Sequence, residues 1–108
     1  MKRLVAIMIG CLLVASVTVS RADTKANWDK QCSKCHGDDG RGDTKMGKKL
    51  KVKDYSDAKV QASLTDEVII KAIKEGVEEG GKSKMKPAKD LSDQEIKDLA
   101  AMVRSFKK

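Results

Sequence analysis

The feature that most constrains this 108-residue chain is the pentapeptide Cys32-Ser-Lys-Cys35-His36. Two thiols three positions apart lie on one helical turn, so they can add across the two vinyl groups of a single haem. The imidazole of His36 directly follows the second thiol and can reach the iron from the same face. We therefore predict one covalently bound haem c, tethered by Cys32 and Cys35, with His36 as an axial ligand of the iron.

Three other kinds of cysteine site share this spacing, but the sequence does not fit any of them. A structural zinc site takes four protein ligands, but the one further cysteine, Cys11, lies far upstream in an apolar segment. A thioredoxin-like dithiol belongs to a βαβ setting, and no run of β-branched and aromatic residues indicates a strand. A disulfide between Cys32 and Cys35 would leave His36 without a role.

Residues 1–22 have the layout of an export signal. Two basic residues precede an apolar run from Leu4 to Val19, and we predict cleavage after Ala22, which would also remove Cys11. The apolar run is shorter than the roughly 20 residues that a spanning helix needs, so we expect no stable membrane insertion. Because covalent haem is generally attached after export, the signal and the haem motif together predict a periplasmic location.

Residues 23–108 would then form one domain with an all-α fold. Such a short domain has difficulty in burying a sufficient apolar core unaided, and its three aromatic residues are few. A porphyrin in the centre would supplement this core. Apolar spacing predicts a first helix over 26–32, with Trp28 facing inward. Capping residues predict a middle helix from Thr65 to Gly76 and a last helix that opens at Ser92.

The connecting segments are rich in turn residues. Residues 37–43 mix glycines with aspartates and predict a loop; a carboxylate metal site there would need regular spacing and a closing glutamate, which is missing. Residues 80–87 predict a flexible stretch that cannot continue a helix.

We predict Met85, near the end of that stretch, as the second axial ligand of the iron. Haem iron in electron carriers is often held by a histidine and a methionine thioether. Met46 follows His36 by only ten positions and would have to cross to the other side of the porphyrin, whereas Met102 lies among packing residues of the last helix. His36 is the only histidine, which excludes two histidine ligands from one molecule. An open sixth position remains an alternative.

This arrangement resembles the class I cytochromes c over nearly the whole of residues 23–108. The resemblance is carried by the haem motif with Gly37, by Trp28 one turn upstream, by Met85, and by the helix segments Leu64–Glu67, Leu91–Ile96 and Val103–Phe106. It implies the small cytochrome c fold, in which the N- and C-terminal helices cross beside the haem. Trp28 would then pack against Leu99, Ala100 and Val103.

Two departures from the family pattern concern the axial ligands. Family members commonly carry a proline soon after the haem motif, and the neighbouring carbonyl orients the ligand histidine; residues 40–50 contain none. The family's methionine is often followed directly by proline, whereas Lys86 separates Met85 from Pro87. The hydrogen-bond partner of the second His36 nitrogen is therefore not predicted, and neither is the conformation of the ligand segment.

The chain is basic, with a formal charge of +7. Without Lys2, Arg3 and Arg21, 20 basic residues face 16 acidic ones, a formal charge of +4 for residues 23–108. Two groups of lysines stand out in the sequence: Lys45, Lys48, Lys49, Lys51 and Lys53, and then Lys82, Lys84, Lys86 and Lys89. They predict a redox partner with an acidic docking surface, although a solvated soluble face explains them equally well.

The leading functional prediction is a soluble, monomeric one-electron carrier with His36 and Met85 on the iron. A five-coordinate haem sensor or ligand binder is one alternative, and a cytochrome subunit of a larger oxidoreductase is another. We do not predict an enzyme, because no nucleophile, base and orienting residue can be assigned together. Nucleic-acid binding is disfavoured by the export signal and by the few aromatic residues available for stacking.

Overall fold

The computed structural model describes Gly10 and residues 21–108. Along residues 21–108 it contains these elements: α1 Arg21–Gln31, α2 Ser33–His36, α3 Lys45–Leu50, α4 Ala58–Ser63, α5 Asp66–Glu75, β1 Val77–Glu79, β2 Lys82–Met85 and α6 Asp93–Ser105. The predicted export signal, including Cys11, lies outside the described residues except for Gly10 and the backbone of Arg21 and Ala22. In the described part of the chain, no helix is long and apolar enough to cross a membrane.

The first helix differs from the prediction at both ends. It begins at Arg21 rather than Ala26, and it ends at Gln31 because Cys32 lies in a turn that leads into α2. The Cys32 N–H donates to the Trp28 carbonyl at 2.8 Å, and the His36 N–H donates to the Cys32 carbonyl at 3.0 Å. The haem motif therefore forms a helical turn of its own, directly after α1.

The middle and last helices confirm the predictions. The Thr65 hydroxyl accepts a hydrogen bond from the Val68 N–H at 3.2 Å, and α5 gives way to Gly76. At the start of α6 the capping box is complete: the Glu95 N–H donates to the Ser92 hydroxyl at 3.1 Å, and the Ser92 N–H donates to the Glu95 carboxylate at 3.0 Å. Both caps satisfy N–H groups that a helix start leaves without partners.

The flexible stretch predicted over 80–87 is instead largely a β-hairpin, so the expectation of no strand is wrong. Strands β1 and β2 pair antiparallel, with Val77 opposite Met85, Glu79 opposite Lys82, and an irregularity after Val77. Gly80 and Gly81 both have positive φ, which suits a two-residue turn between twisted strands. The strands are short and carry mostly charged residues, so propensity did not reveal them.

Two six-residue helices, α3 and α4, were also not predicted. Each begins at a side-chain cap: the Thr44 hydroxyl accepts from the Gly47 N–H at 2.8 Å, and the Asp57 carboxylate accepts from the Lys59 N–H at 2.8 Å. Helices this short show no apolar period in the sequence, and contacts with the rest of the fold stabilise them.

The core lies where α1, α5 and α6 meet. Its buried residues are Trp28, Cys32, Ile69, Ile73, Ile96, Leu99, Ala100 and Val103. Trp28 is 2% exposed and Leu99 is fully buried. The predicted proximity of Trp28 to Leu99, Ala100 and Val103 is confirmed, and the predicted helical fold is confirmed with the hairpin as an addition.

Candidate haem site

The haem motif is fixed by hydrogen bonds to the backbone at the end of α2. The Thr44 hydroxyl donates to the Cys35 carbonyl at 2.7 Å, and the Trp28 indole N–H donates to the Gly37 carbonyl at 2.9 Å. A helix end leaves such carbonyls without partners inside the helix, so these bonds join α2 to α1 and to the start of α3. The position of His36 is thereby set by elements on both sides of it in sequence.

Two aromatic rings hold the His36 side chain. Its ring centroid lies 5.3 Å from that of Tyr55 in a stacked arrangement and 5.8 Å from that of Trp28 at an angle of 42°. His36 is 9% exposed, and burial lowers its pKa below the ordinary value. The neutral imidazole that burial favours is the form that binds a metal.

The sequence left the hydrogen-bond partner of the second His36 nitrogen open. Its Nδ1 atom is buried and has no hydrogen-bond partner among the described residues. In this chain the ring is thus oriented by packing against Trp28 and Tyr55 instead of by a carbonyl.

Beside His36 lies a cavity that opens partly to solvent. The lining residues come from α1, α5, α6 and β2, from the haem motif, and from the chain on either side of α4: Trp28, Cys32, His36, Tyr55, Leu64, Val68, Ile69, Ala72, Ile73, Met85 and Val103. Most of these are apolar, so the cavity wall suits contact with a mainly apolar group.

Met85 lines the same cavity as His36, although it lies 49 positions after His36 in sequence. It is the last residue of β2 and is half-buried against the core. The other two methionines of the described segment, Met46 and Met102, do not line the cavity. Met102 packs against the core from α6, as predicted.

The two cysteines of the motif are not joined by a disulfide. Cys32 is buried in the cavity wall, and burial raises the pKa of its thiol to about 11, with a smaller contribution from Cys35. Cys35 is more exposed. Two unpaired cysteines, a neutral imidazole and a thioether around an apolar cavity fit a haem. Within residues 21–108, no group of three or more His, Cys, Asp or Glu side chains could hold a metal ion by itself.

Sequence reasoning identified part of the cavity wall and missed the rest. The apolar stripe of α5 was visible as Val68, Ile69, Ala72 and Ile73, but as a helix face and not as a cavity wall. Tyr55 was missed, because it lies between short elements that have no apolar period. The one available signal was that aromatic residues are scarce, so each has a good chance of lying in the core.

Comparisons with known proteins place the chain among the c-type cytochromes. The family model described as cytochrome c oxidase, cbb3-type, subunit III matches residues 20–103, and the chain belongs to that family. The chain is thus an electron-transfer haem protein that carries haem c, and its resemblance to class I cytochromes c is confirmed.

Solved structures are similar to the chain in both sequence and fold. The KustC0563 c-type cytochrome is 38% identical, with a TM-score of 0.69, and the match covers 79% of this chain and 98% of that chain. A variant of Kustc0563 with one tyrosine replaced by phenylalanine matches at 38% identity and a TM-score of 0.67, covering 79% of this chain and 99% of its own. No protein with a curated description matches the chain.

Proposed function

We propose that this cytochrome is an exported, soluble one-electron carrier. Cys32 and Cys35 would tether a single haem c, and the His36 imidazole and the Met85 thioether would hold its iron. The observation that carries the proposal is that a buried imidazole and a half-buried thioether, from distant parts of the chain, line one apolar cavity beside Cys32. When bound, the haem supplies one-electron chemistry through the Fe(III)/Fe(II) couple of its iron.

The residues around the cavity give this chemistry what an electron carrier needs. Trp28 and Tyr55 restrict rotation of the His36 ring, so this ligand needs little rearrangement when the oxidation state changes. The apolar walls supplied by α5 and α6 limit the contact of the site with water. A thioether ligand prefers Fe(II) and raises the reduction potential. No substrate bond is made or broken in this role.

Carbon monoxide binding tests the proposal against the five-coordinate alternative. With protein side chains at both axial positions, the reduced native protein binds CO slowly or not at all, because Met85 must first leave. The same sample after denaturation binds CO and serves as the positive control. Ready CO binding by the native reduced protein would overturn the carrier proposal and favour a sensor or ligand binder.

A second candidate function is a cytochrome subunit of a larger oxidoreductase. The observation that favours it is the description of the matching family, which names an oxidase subunit. Gentle extraction from the source organism followed by size-exclusion chromatography distinguishes the two roles. A free carrier elutes as a monomer, whereas a subunit copurifies with its partner in a fixed ratio.

We also propose that the redox partner presents an acidic surface. In the described part of the chain, Lys48 pairs with Asp43 at 3.0 Å, while the other lysines of the two groups have no ion pair. The second group lies on and beside β2, on both sides of Met85. Positive charge that is not neutralised at this position attracts an acidic protein to the edge of the cavity.

A further inference from the structure

We propose that Gly76 is a positioning residue for the axial ligand Met85. This inference rests on the proposed function, because it concerns how the chain keeps the Met85 thioether at the iron. Gly76 follows α5 and precedes β1, whereas Met85 ends β2, so the two residues meet at the base of the hairpin. The sequence identified Gly76 only as a helix end.

The contact at Gly76 leaves no room for a side chain. A Cβ atom built on Gly76 would lie far inside van der Waals contact with the Met85 carbonyl oxygen, and 3.0 Å from both the nitrogen and Cδ of Pro87. Two of these three neighbours are backbone atoms, which cannot move away by rotating a side chain. An added methyl group would therefore have to displace the backbone of Met85 itself.

The segment that follows Met85 is hydrogen-bonded at two further points, Ala88 and Lys89, which restrict its movement away from Gly76. The Ala88 N–H donates to the Ile73 carbonyl at 2.9 Å, which fixes the segment to the last turn of α5. The Gln31 side chain binds both backbone groups of Lys89: its amide donates to the carbonyl at 3.0 Å, and its oxygen accepts from the N–H at 2.7 Å.

These hydrogen bonds connect the segment that carries Met85 with the segment that carries the haem motif. Gln31 directly precedes Cys32 of the haem motif. Lys89, whose backbone Gln31 binds, lies four positions after Met85. We call residues 85–89 the ligand strap. The strap is held against α5 through Gly76 and Ala88 and against α1 through Gln31, so the close approach at Gly76 sets how deep Met85 lies in the cavity.

The chain supplies a matched control for testing Gly76. Gly76 has φ of 77° and Gly81 has φ of 76°, so alanine at either position meets the same unfavourable φ. Around Gly81, however, a Cβ atom would meet nothing within 4 Å. A difference between Gly76→Ala and Gly81→Ala therefore cannot come from positive φ alone; it reports the contact with the strap together with the ψ of −176° at Gly76.

The experiment compares the wild-type holoprotein with both variants. We measure the weak long-wavelength absorption band of methionine sulfur on Fe(III), and CO binding to the reduced form. We expect the wild type and Gly81→Ala to show the band and resist CO, and Gly76→Ala to lose the band and bind CO. Retention of the band in all three proteins, or its loss in both variants, would overturn the role of Gly76.

Failure of the proposed function gives a different result. If the wild type carries haem but lacks the band, Met85 does not bind the iron, and the inference about Gly76 falls with it. If the band is present in the wild type, ligation stands and the variants test Gly76 alone.

A second pair of variants decides the matter if Gly76→Ala does not fold. Gln31→Ala releases the strap without adding a group, and Gln94→Ala removes a comparable exposed amide that bonds only Asp98, at 3.0 Å. We expect faster CO binding in Gln31→Ala than in Gln94→Ala. Equal CO binding in the two variants would contradict a strap that positions Met85.

Discussion

At the scale of single residues, Arg104 shows how one side chain can join three parts of the fold. From α6, its guanidinium donates to the Gln61 carbonyl at 2.8 Å, to the Leu64 carbonyl at 2.7 Å and to the Asp66 carboxylate at 2.8 Å. The two carbonyls lie at the end of α4, where a helix leaves such groups without partners. Arg104 therefore connects α6 to the junction between α4 and α5, which precedes a wall of the haem cavity.

We expect Arg104→Met to lower the free energy of unfolding by about 1–3 kcal/mol, because it removes several hydrogen bonds to a charged donor. Lys74→Met is the control, since the ion pair of Lys74 with Asp93 at 3.0 Å joins exposed side chains. Its expected effect is within about 0.5 kcal/mol. Denaturant titration of the holoproteins measures both values, and similar losses in the two variants would contradict the role of Arg104.

At the scale of elements, the contact between α1 and α6 includes a carboxylate that titrates. Hydrogen bonds lower the pKa of the Glu95 carboxyl. The largest effect comes from the Ser92 backbone N–H, and the next comes from the Asn27 side chain of α1, which donates at 3.0 Å. Because its folded pKa is lowered, the ionised form contributes stability above the unfolded pKa, about 4.3. That contribution is lost as the pH falls through the folded pKa.

We therefore expect Glu95→Gln to be less stable than the wild type at neutral pH and to approach it at about pH 3. Glu79→Gln is the control, because the Glu79 side chain is exposed on β1 and makes no hydrogen bond or ion pair with residues 21–108. Thermal unfolding of both variants at the two pH values checks the prediction. If Glu95→Gln is destabilised relative to the wild type by the same amount at both pH values, the charge of Glu95 is not the source of the stability.

The elements also show which parts of the fold can be predicted from sequence. Helices α5 and α6 were predicted with correct starts, because a capping residue and an apolar stripe point to the same boundary. Helices α3 and α4 and the hairpin were not, because they are too short to show a period and depend on tertiary contacts. The hairpin matters most, since it carries Met85 to the cavity.

At the scale of the whole molecule, the candidate site joins residues that the sequence could name but not place. Cys32, Cys35 and His36 follow from one local motif, so their proximity was certain from the chain itself. Met85 was named from its surroundings in sequence, and its place beside His36 depends on how the hairpin folds. The sequence marked Tyr55 only as a scarce aromatic residue and Gly76 only as a helix end, because their roles arise from close approaches that depend on the fold.

The charge distribution of the molecule predicts how salt changes its electron-transfer rates. We expect oxidation of the reduced protein by ferricyanide, an anion, to slow as ionic strength rises, because salt screens attraction to the lysines. Oxidation by the cation tris(phenanthroline)cobalt(III) should become faster. Lys84→Glu/Lys86→Glu should weaken the salt dependence with ferricyanide more than Lys45→Glu/Lys49→Glu. Equal effects of the two pairs would contradict docking beside Met85.

The most direct test of the central claim is the visible spectrum of the oxidised holoprotein, compared with Met85→Ala and with Met102→Leu as a control for packing. The account predicts c-type haem bands in all three proteins. It also predicts the long-wavelength band of methionine sulfur on Fe(III) in the wild type and Met102→Leu, and its loss in Met85→Ala. Covalent haem without that band in the wild type, or an unchanged band in Met85→Ala, would contradict ligation by His36 and Met85.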